Sequence, residues 1–190
     1  MRVISGERKG TQLKTATGTG TRPTSDKVKE SLFNMIGPYF SGGTAVDLFG
    51  GSGGLAIEAL SRGMDRAVII EKDGRALSAI RENLEKCRYA EQAEVLRADA
   101  GRAVRMLIKR GEGIDLLFLD PPYAKNTYYD LAGELAAAGL IRGGGVIVCE
   151  HDKSVQLPER YGMFWKEKEN VYGGTVITIY SGAEEGENNG

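Results

Sequence analysis

From Thr44 onward, short apolar runs alternate with segments of helical periodicity, and no other feature of the chain constrains its fold as tightly. Such alternation marks an α/β domain whose parallel strands are covered by helices on both faces. The apolar runs at 44–48, 67–71, 93–97, 115–119 and 145–150 are the candidate strands, with helical patterns between them at 53–61, 74–87, 101–109 and 128–138. In the second of these helices Ala76, Leu77, Ile80 and Leu84 share one stripe, which belongs against a sheet. Beyond 150 no long helical pattern returns; 163–168 and 175–180 read as two strands joined through Tyr172-Gly173-Gly174. Five parallel strands and a closing antiparallel hairpin predict a seven-stranded, mostly parallel sheet.

Ahead of the sheet, 25–36 reads as a helix with Ser25 or Asp26 as N-cap and Gly37-Pro38 ending it. Before that helix, 2–5 and 12–14 are short extended stretches separated by a turn, a small β-hairpin arm. The Gly/Thr tract at 15–21 has nothing to pack and is expected to stay mobile until a ligand holds it. The Gly, Glu and Asn residues from 182 on are expected to be disordered. The expected division is an arm at 1–24, a domain at 25–181 and a tail at 182–190.

The 190 residues suit one domain. A net charge of −1 makes no global demand for a polyanionic partner, but the charge is unevenly placed. Residues 1–31 carry Arg2, Arg8, Lys9, Lys14, Arg22, Lys27 and Lys29 against Glu7, Asp26 and Glu30. A basic arm of this kind can hold phosphates, and Arg8, Lys9, Lys14, Arg22 and Lys27 are the RNA-binding candidates. Cys87 and Cys149 lie far apart and read as buried thiols of a reducing compartment. With His151 the only histidine, neither a zinc cluster nor a Ser-His-Asp triad is expected. No signal peptide or long apolar run appears, so the expectation is a cytoplasmic monomer with no membrane partner.

The chemistry-bearing residues fall where the strands end. Asp47-Leu48-Phe49-Gly50-Gly51-Ser52-Gly53 lies between the first strand and its helix, where glycines permit a sharp turn and close approach of a ligand to the backbone. On spacing alone Gly51, Gly53 and Ala56 also fit a dinucleotide fingerprint, with Glu71 as the ribose-binding acid. Asp47, however, would repel a pyrophosphate and can hold an ammonium group, which favours the aminoacyl end of S-adenosylmethionine over NAD. Glu71 suits the ribose of either cofactor, and Asp99 is placed to accept from an adenine amine. Asp120-Pro121-Pro122-Tyr123 follows the apolar run at 116–119 and sets a carboxylate, rigid carbonyls and an aromatic ring beside one another. That combination suits a planar base with an exocyclic amine.

The order Asp-x-Phe-Gly-Gly-Ser-Gly, Glu71, Asp99, Asp-Pro-Pro-Tyr resembles the class I S-adenosylmethionine-dependent methyltransferases, with their Rossmann-like fold, that modify exocyclic amines of bases. Arg2-Val3-Ile4-Ser5-Gly6 with Gly10 and Leu13, Arg22-Pro23-Thr24, Glu30-Ser31-Leu32-Phe33-Asn34 and Tyr172-Gly173-x-Thr175 narrow this to a resemblance to the RsmD family. That family methylates the N2 amine of a guanine in small-subunit (16S) ribosomal RNA, as naked RNA or in the assembled subunit. The resemblance implies that Asp47, Phe49, Gly50, Gly51, Ser52 and Gly53 cradle the methionine part, Glu71 and Lys72 the ribose side, and Asp99 and Ala100 the adenine. It implies that Asp120, Pro121, Pro122 and Tyr123 take the target guanine. Gly51 departs from the alanine common in the family, and the arm is less basic around 6–10 than the family's often is. An adenine-N6 DNA methyltransferase, a non-catalytic RNA-binding assembly module and, third, an NAD-dependent dehydrogenase are the alternatives.

Overall fold

A computed structural model describes residues 1–16, 24–122 and 124–182. The part of the 15–21 tract from 17 on, Arg22, Tyr123 and the tail from 183 lie outside the described residues. The elements run α1 (Asp26–Ile36), β1 (Thr44–Asp47), α2 (Gly54–Ser61), β2 (Arg66–Glu71), α3 (Gly74–Lys86), β3 (Ala93–Arg97), α4 (Ala100–Arg110), β4 (Ile114–Leu119), α5 (Asn126–Ala137), β5 (Ile141–Asp152), β6 (Arg160–Tyr161), β7 (Phe164–Tyr172) and β8 (Thr175–Gly182).

Their sheet has the order β3-β2-β1-β4-β5-β8-β7-β6, parallel from β3 through β5 and antiparallel beyond. The expected α/β sheet with a closing hairpin is therefore present, but it has eight strands among the described residues where seven were expected. The additional strand, β6, pairs only Arg160 with Trp165 and Tyr161 with Phe164. Two residues cannot display a period of two, so β6 leaves no trace in the hydrophobic pattern. β5 also starts earlier than the apolar run, because Ile141 pairs with Ile114 before the register shifts around Gly143–Gly145.

Chain order reverses between β1 and β4. α2 and α3 contribute Ile57, Leu60, Ile80 and Leu84 to one face of the sheet, whereas α4 and α5 contribute Ala103, Leu107, Leu131 and Leu135 to the other. The helices thus part on either side of the β1/β4 boundary, which opens a crevice at the carboxyl ends of the strands. Local chemistry fixes the helix starts: the side chains of Ser25, Asp73 and Asp99 accept from amides in the first turns of α1, α3 and α4. Asp99 is consequently the N-cap of α4, set just beyond the end of β3.

The N-terminal segment folds back through the Arg2–Gln12 antiparallel bridge and buries Val3 and Leu13 in the core on the α2/α3 face. Its backbone is held by side chains of the domain. Glu58 accepts from the amides of Ile4 (2.8 Å) and Ser5 (3.1 Å), while Lys29 donates to the Arg2 carbonyl (2.6 Å). Asn83 accepts from Lys14 N (2.8 Å) and donates to the carbonyls of Lys14 and Ser52, both at 2.9 Å. One buried amide therefore ties the arm, α3 and the glycine loop together, with all of its polar atoms in use.

Candidate active site

The crevice at the β1/β4 boundary is a cleft of about 530 Å³ bordered by the ends of four parallel strands. Its floor is the turn out of β1. Gly50 has to be glycine on packing grounds, since a Cβ there would lie 2.5 Å from Ile69 Cγ2 and 3.1 Å from the Ile70 carbonyl. Gly51 and Gly53 sit at φ +59° and +83°, in the left-handed region that favours glycine. At Gly51 a Cβ would meet nothing, so an alanine there would bear backbone strain alone. Phe49 and Tyr128 meet edge to face at 5.5 Å and form an apolar wall.

The acids around this space differ in how they are held. Asp47, 1% exposed, accepts from Phe49 N (3.1 Å), and among the described residues no cation is one of the groups that set its ionisation. Burial, with the charges of Glu71 and Glu150 nearby, raises its pKa to about 7 despite that amide. Glu71 is a hub for backbone donors: Oε1 accepts from Gly51 N (3.0 Å), and Oε2 from Lys72 N and Asp73 N, both at 2.8 Å. A carboxylate has about four lone-pair sites, and the described amides fill three of them. Asp99 and Ala100, at the start of α4, border the far end, and Lys72 stands exposed on the rim.

Asp120 and Pro122 line the same cleft, and Pro121 lies between them, half-buried. Burial, then the charges of Glu150 and Asp47, push the Asp120 carboxyl well above the usual carboxylate range. Glu150 was not among the sequence candidates. The β4/β5 register pairs Leu119 with Cys149, which brings Asp120 beside Glu150, and the two carboxyls share a hydrogen bond. Thr24 Oγ1 donates to Glu150 Oε2 at 2.9 Å, and Tyr129 on α5 donates to the Glu150 carbonyl at 2.7 Å. The signal for Glu150 was present in the sequence, since it closes the fifth apolar run just as the other acids close theirs.

Asp47, Phe49, Gly50, Gly51, Ser52, Glu71, Lys72, Asp99, Ala100, Asp120 and Pro122 thus border one cleft, and Gly53 lies directly beneath as the residue preceding α2. Tyr123 lies outside the described residues. Among the described residues the basic candidates are held in different ways. Arg8 donates to the Cys87 carbonyl (2.6 Å) and lies 5.3 Å over the Tyr89 ring, and Lys14 pairs with Glu82 at 3.0 Å. Lys9 and Lys27 are exposed; Arg22 lies outside the described residues. Among the described residues no group of three or more His, Cys, Asp or Glu is arranged to hold a metal ion. None of the described helices is long and apolar enough to cross a membrane.

The donor set has a definite chemistry. A buried acid suits an ammonium group, an open carboxylate lone pair suits ribose hydroxyls, and a glycine cradle lets a ligand lie on the backbone. An acid followed by two prolines, in the same space, suits an amine. Comparison with known proteins gives the chain's relatives. The family model described as "Conserved hypothetical protein 95" matches residues 1–181. YlbH of Bacillus subtilis (strain 168), named provisionally as an rRNA methyltransferase, is 47% identical over 180 residues, covering 95% of this chain and 98% of that one. "Ribosomal RNA small subunit methyltransferase D" of Escherichia coli (strain K12) is 29% identical, covering 98% of this chain and 92% of that one. A solved structure of a conserved hypothetical protein from Streptococcus pyogenes is 44% identical with a TM-score of 0.77, covering 82% of this chain and 96% of that one.

Proposed function

The chain belongs to the RsmD family, the family described as conserved hypothetical protein 95, and from that premise we propose that it is an S-adenosylmethionine-dependent methyltransferase acting on the N2 amine of a guanine in small-subunit ribosomal RNA. The observation that carries this reading is that Asp120 and Pro122 border the same cleft as Asp47, Glu71 and Asp99. A site for a cationic amino acid joined to a nucleoside and a site for a base amine are therefore one continuous space. S-adenosylmethionine fits the residues present: Asp47 takes the ammonium, the backbone at 49–53 the methionine part, Glu71 the ribose, and Asp99 with Ala100 the adenine. A pyrophosphate is disfavoured there by Asp47, which lies under the glycine turn.

Bound in that cradle, S-adenosylmethionine supplies a methyl group activated by a sulfonium. The chain's own task is to position the acceptor and manage its protons. Asp120 and the Pro121 carbonyl accept from the guanine N2 hydrogens, which localises the nitrogen lone pair toward the cleft. Neither proline has an amide hydrogen to compete for those acceptors. Orientation of this kind supplies at most about 7–11 kcal/mol of barrier lowering, and Asp120 adds electrostatic stabilisation as the amine becomes cationic. Tyr123 is proposed to stack on the base, worth roughly 1–3 kcal/mol. A paired guanine has to be turned out of its helix first, at a cost of a few kcal/mol. Cys87 and Cys149 are both buried, which fits direct transfer with no thiol adduct. We further propose that the protein is cytoplasmic and works as a monomer.

The test is transfer of labelled methyl from S-adenosylmethionine to small ribosomal subunits, protein-free ribosomal RNA and duplex DNA. Asp120→Ala serves as control and is expected to lower transfer on the order of 10²–10³-fold while cofactor binding persists. Label on guanine N2 in the ribosomal samples supports the proposal. Label on DNA adenine replaces it with adenine-N6 methylation, and no label in any sample despite cofactor binding replaces it with a non-catalytic assembly role.

A further inference from the structure

Glu150 lies behind the active carboxylate. It does not border the cleft, yet its half-buried side chain lies against Asp120, which does. Two neighbouring strands force the pairing, because Leu119 and Cys149 are in register and the chain continues from each into an acid. Thr24, just ahead of α1, fixes the outer oxygen of Glu150 with a hydroxyl at 2.9 Å. Tyr129 of α5 holds its backbone carbonyl, so Asp120, Thr24 and Tyr129 all bear on where this residue sits. Such an arrangement is more than strand-end solvation requires, since a solvated acid needs no partner acid and no hydroxyl clamp.

We propose that Glu150 is a positioning residue that takes over the proton shared with Asp120 when a base amine is presented, leaving Asp120 free to accept from that amine. The inference rests on the methyltransferase reading of the site. In this scheme the shared proton starts on Asp120, whose carboxyl is pushed up by burial and by the charges of Glu150 and Asp47, while the Thr24 hydroxyl favours the Glu150 anion. An arriving amine donates a hydrogen bond to Asp120, and the proton passes to Glu150 without leaving the protein. Methyl transfer then forms the N–CH3 bond as the S–CH3 bond breaks, with the electron pair of that bond remaining on sulfur. The amine nitrogen becomes cationic and passes one proton to Asp120, so the pair ends doubly protonated and returns one proton to solvent before the next turnover. Other groups facing the pair are Asp47 from β1 and the Tyr129 hydroxyl from α5; His151 is turned away, bonded to Thr178 and to the Asp152 carbonyl.

A pair that keeps one proton internally stays competent until a second proton is added, whereas a lone buried Asp120 is disabled by its first. Glu150→Gln is therefore expected to move the acid limb of the kcat/KM profile to higher pH, lowering kcat/KM about tenfold on that limb and much less above it. Thr24→Val, which leaves both acids in place but removes the hydroxyl that favours the Glu150 anion, is expected to move the limb the same way by less. Folding of each variant is checked by denaturant unfolding, since Thr24 itself borders the cleft. Wild-type protein is assayed first on small-subunit ribosomal RNA: absence of guanine-N2 transfer there defeats the methyltransferase reading itself. With an active wild type, folded variants whose acid limbs coincide with it, even if uniformly slower, overturn the role given to Glu150.

Discussion

Two clusters of buried charge stand in this domain, and they are built on opposite principles. In the first, Glu58 on α2 is fully buried between Lys29 (3.5 Å) and Arg62 (2.8 Å) and also accepts from two arm amides. Arg62 in turn donates to the Pro38 carbonyl at 3.1 Å and faces the Phe33 ring at 5.0 Å. In the second cluster, Asp47, Asp120 and Glu150 face one another with amides and hydroxyls as their donors and, among the described residues, no basic side chain helping to set their ionisation. The first cluster is closed, with each charge answered, and it joins the arm to α1 and α2. In the second, burial and mutual repulsion raise the pKa of the acids, which suits them to the cationic ligand proposed above. Compensated charge marks architecture here, and perturbed acids mark the proposed site.

The same chemical change should therefore have opposite effects in the two places. Glu58→Gln leaves two buried cations without their anion and is expected to cost about 3–5 kcal/mol of stability, read from denaturant unfolding. Asp47→Asn removes a buried acid that burial disfavours and should stabilise the fold by roughly 1–3 kcal/mol at pH 8 while weakening S-adenosylmethionine binding. If both substitutions destabilise alike, the distinction between the clusters fails.

The pH dependence sharpens the contrast. Folding raises the Asp47 pKa from 3.8 to about 7, so the folded chain binds that proton more tightly than the unfolded one. Its contribution to stability is thus present at low pH and lost as pH rises between those values. Cofactor affinity should run the other way, because the ammonium needs the ionised acid: below pH 7 it is expected to fall by up to about tenfold per pH unit, measurable by calorimetry. The smallest effect belongs to the exposed arm. Lys9→Ala with Lys27→Ala should leave cofactor binding and stability unchanged and make the log–log salt slope of RNA binding shallower by about 1 per lysine. Arg8 is a poorer probe of RNA contact, since its guanidinium already holds the Cys87 carbonyl.

Much of this molecule was legible in its residues. Period and spacing located the five parallel strands because a strand buried on both faces has to be apolar along its length, as Val68 to Ile70 and Leu116 to Leu119 are. The strand-end acids Asp47, Glu71 and Asp120 were visible for the complementary reason, that a carboxylate terminating such a run has an unusual address. What stayed hidden depends on neighbours distant in the chain. β6 exists because Phe164 and Trp165 offer it a partner. The arm's basic side chains are divided between ion pairs, a carbonyl and solvent by contacts up to 79 positions away, such as that from Arg8 to Cys87. Glu150 acquires its meaning only from the register that sets it beside Asp120. Sequence by itself determined which segments had to be buried and where the acids had to emerge, because hydrophobic period is a local property. Tertiary structure alone decided which charges are answered, because a buried charge is defined by what the fold brings against it.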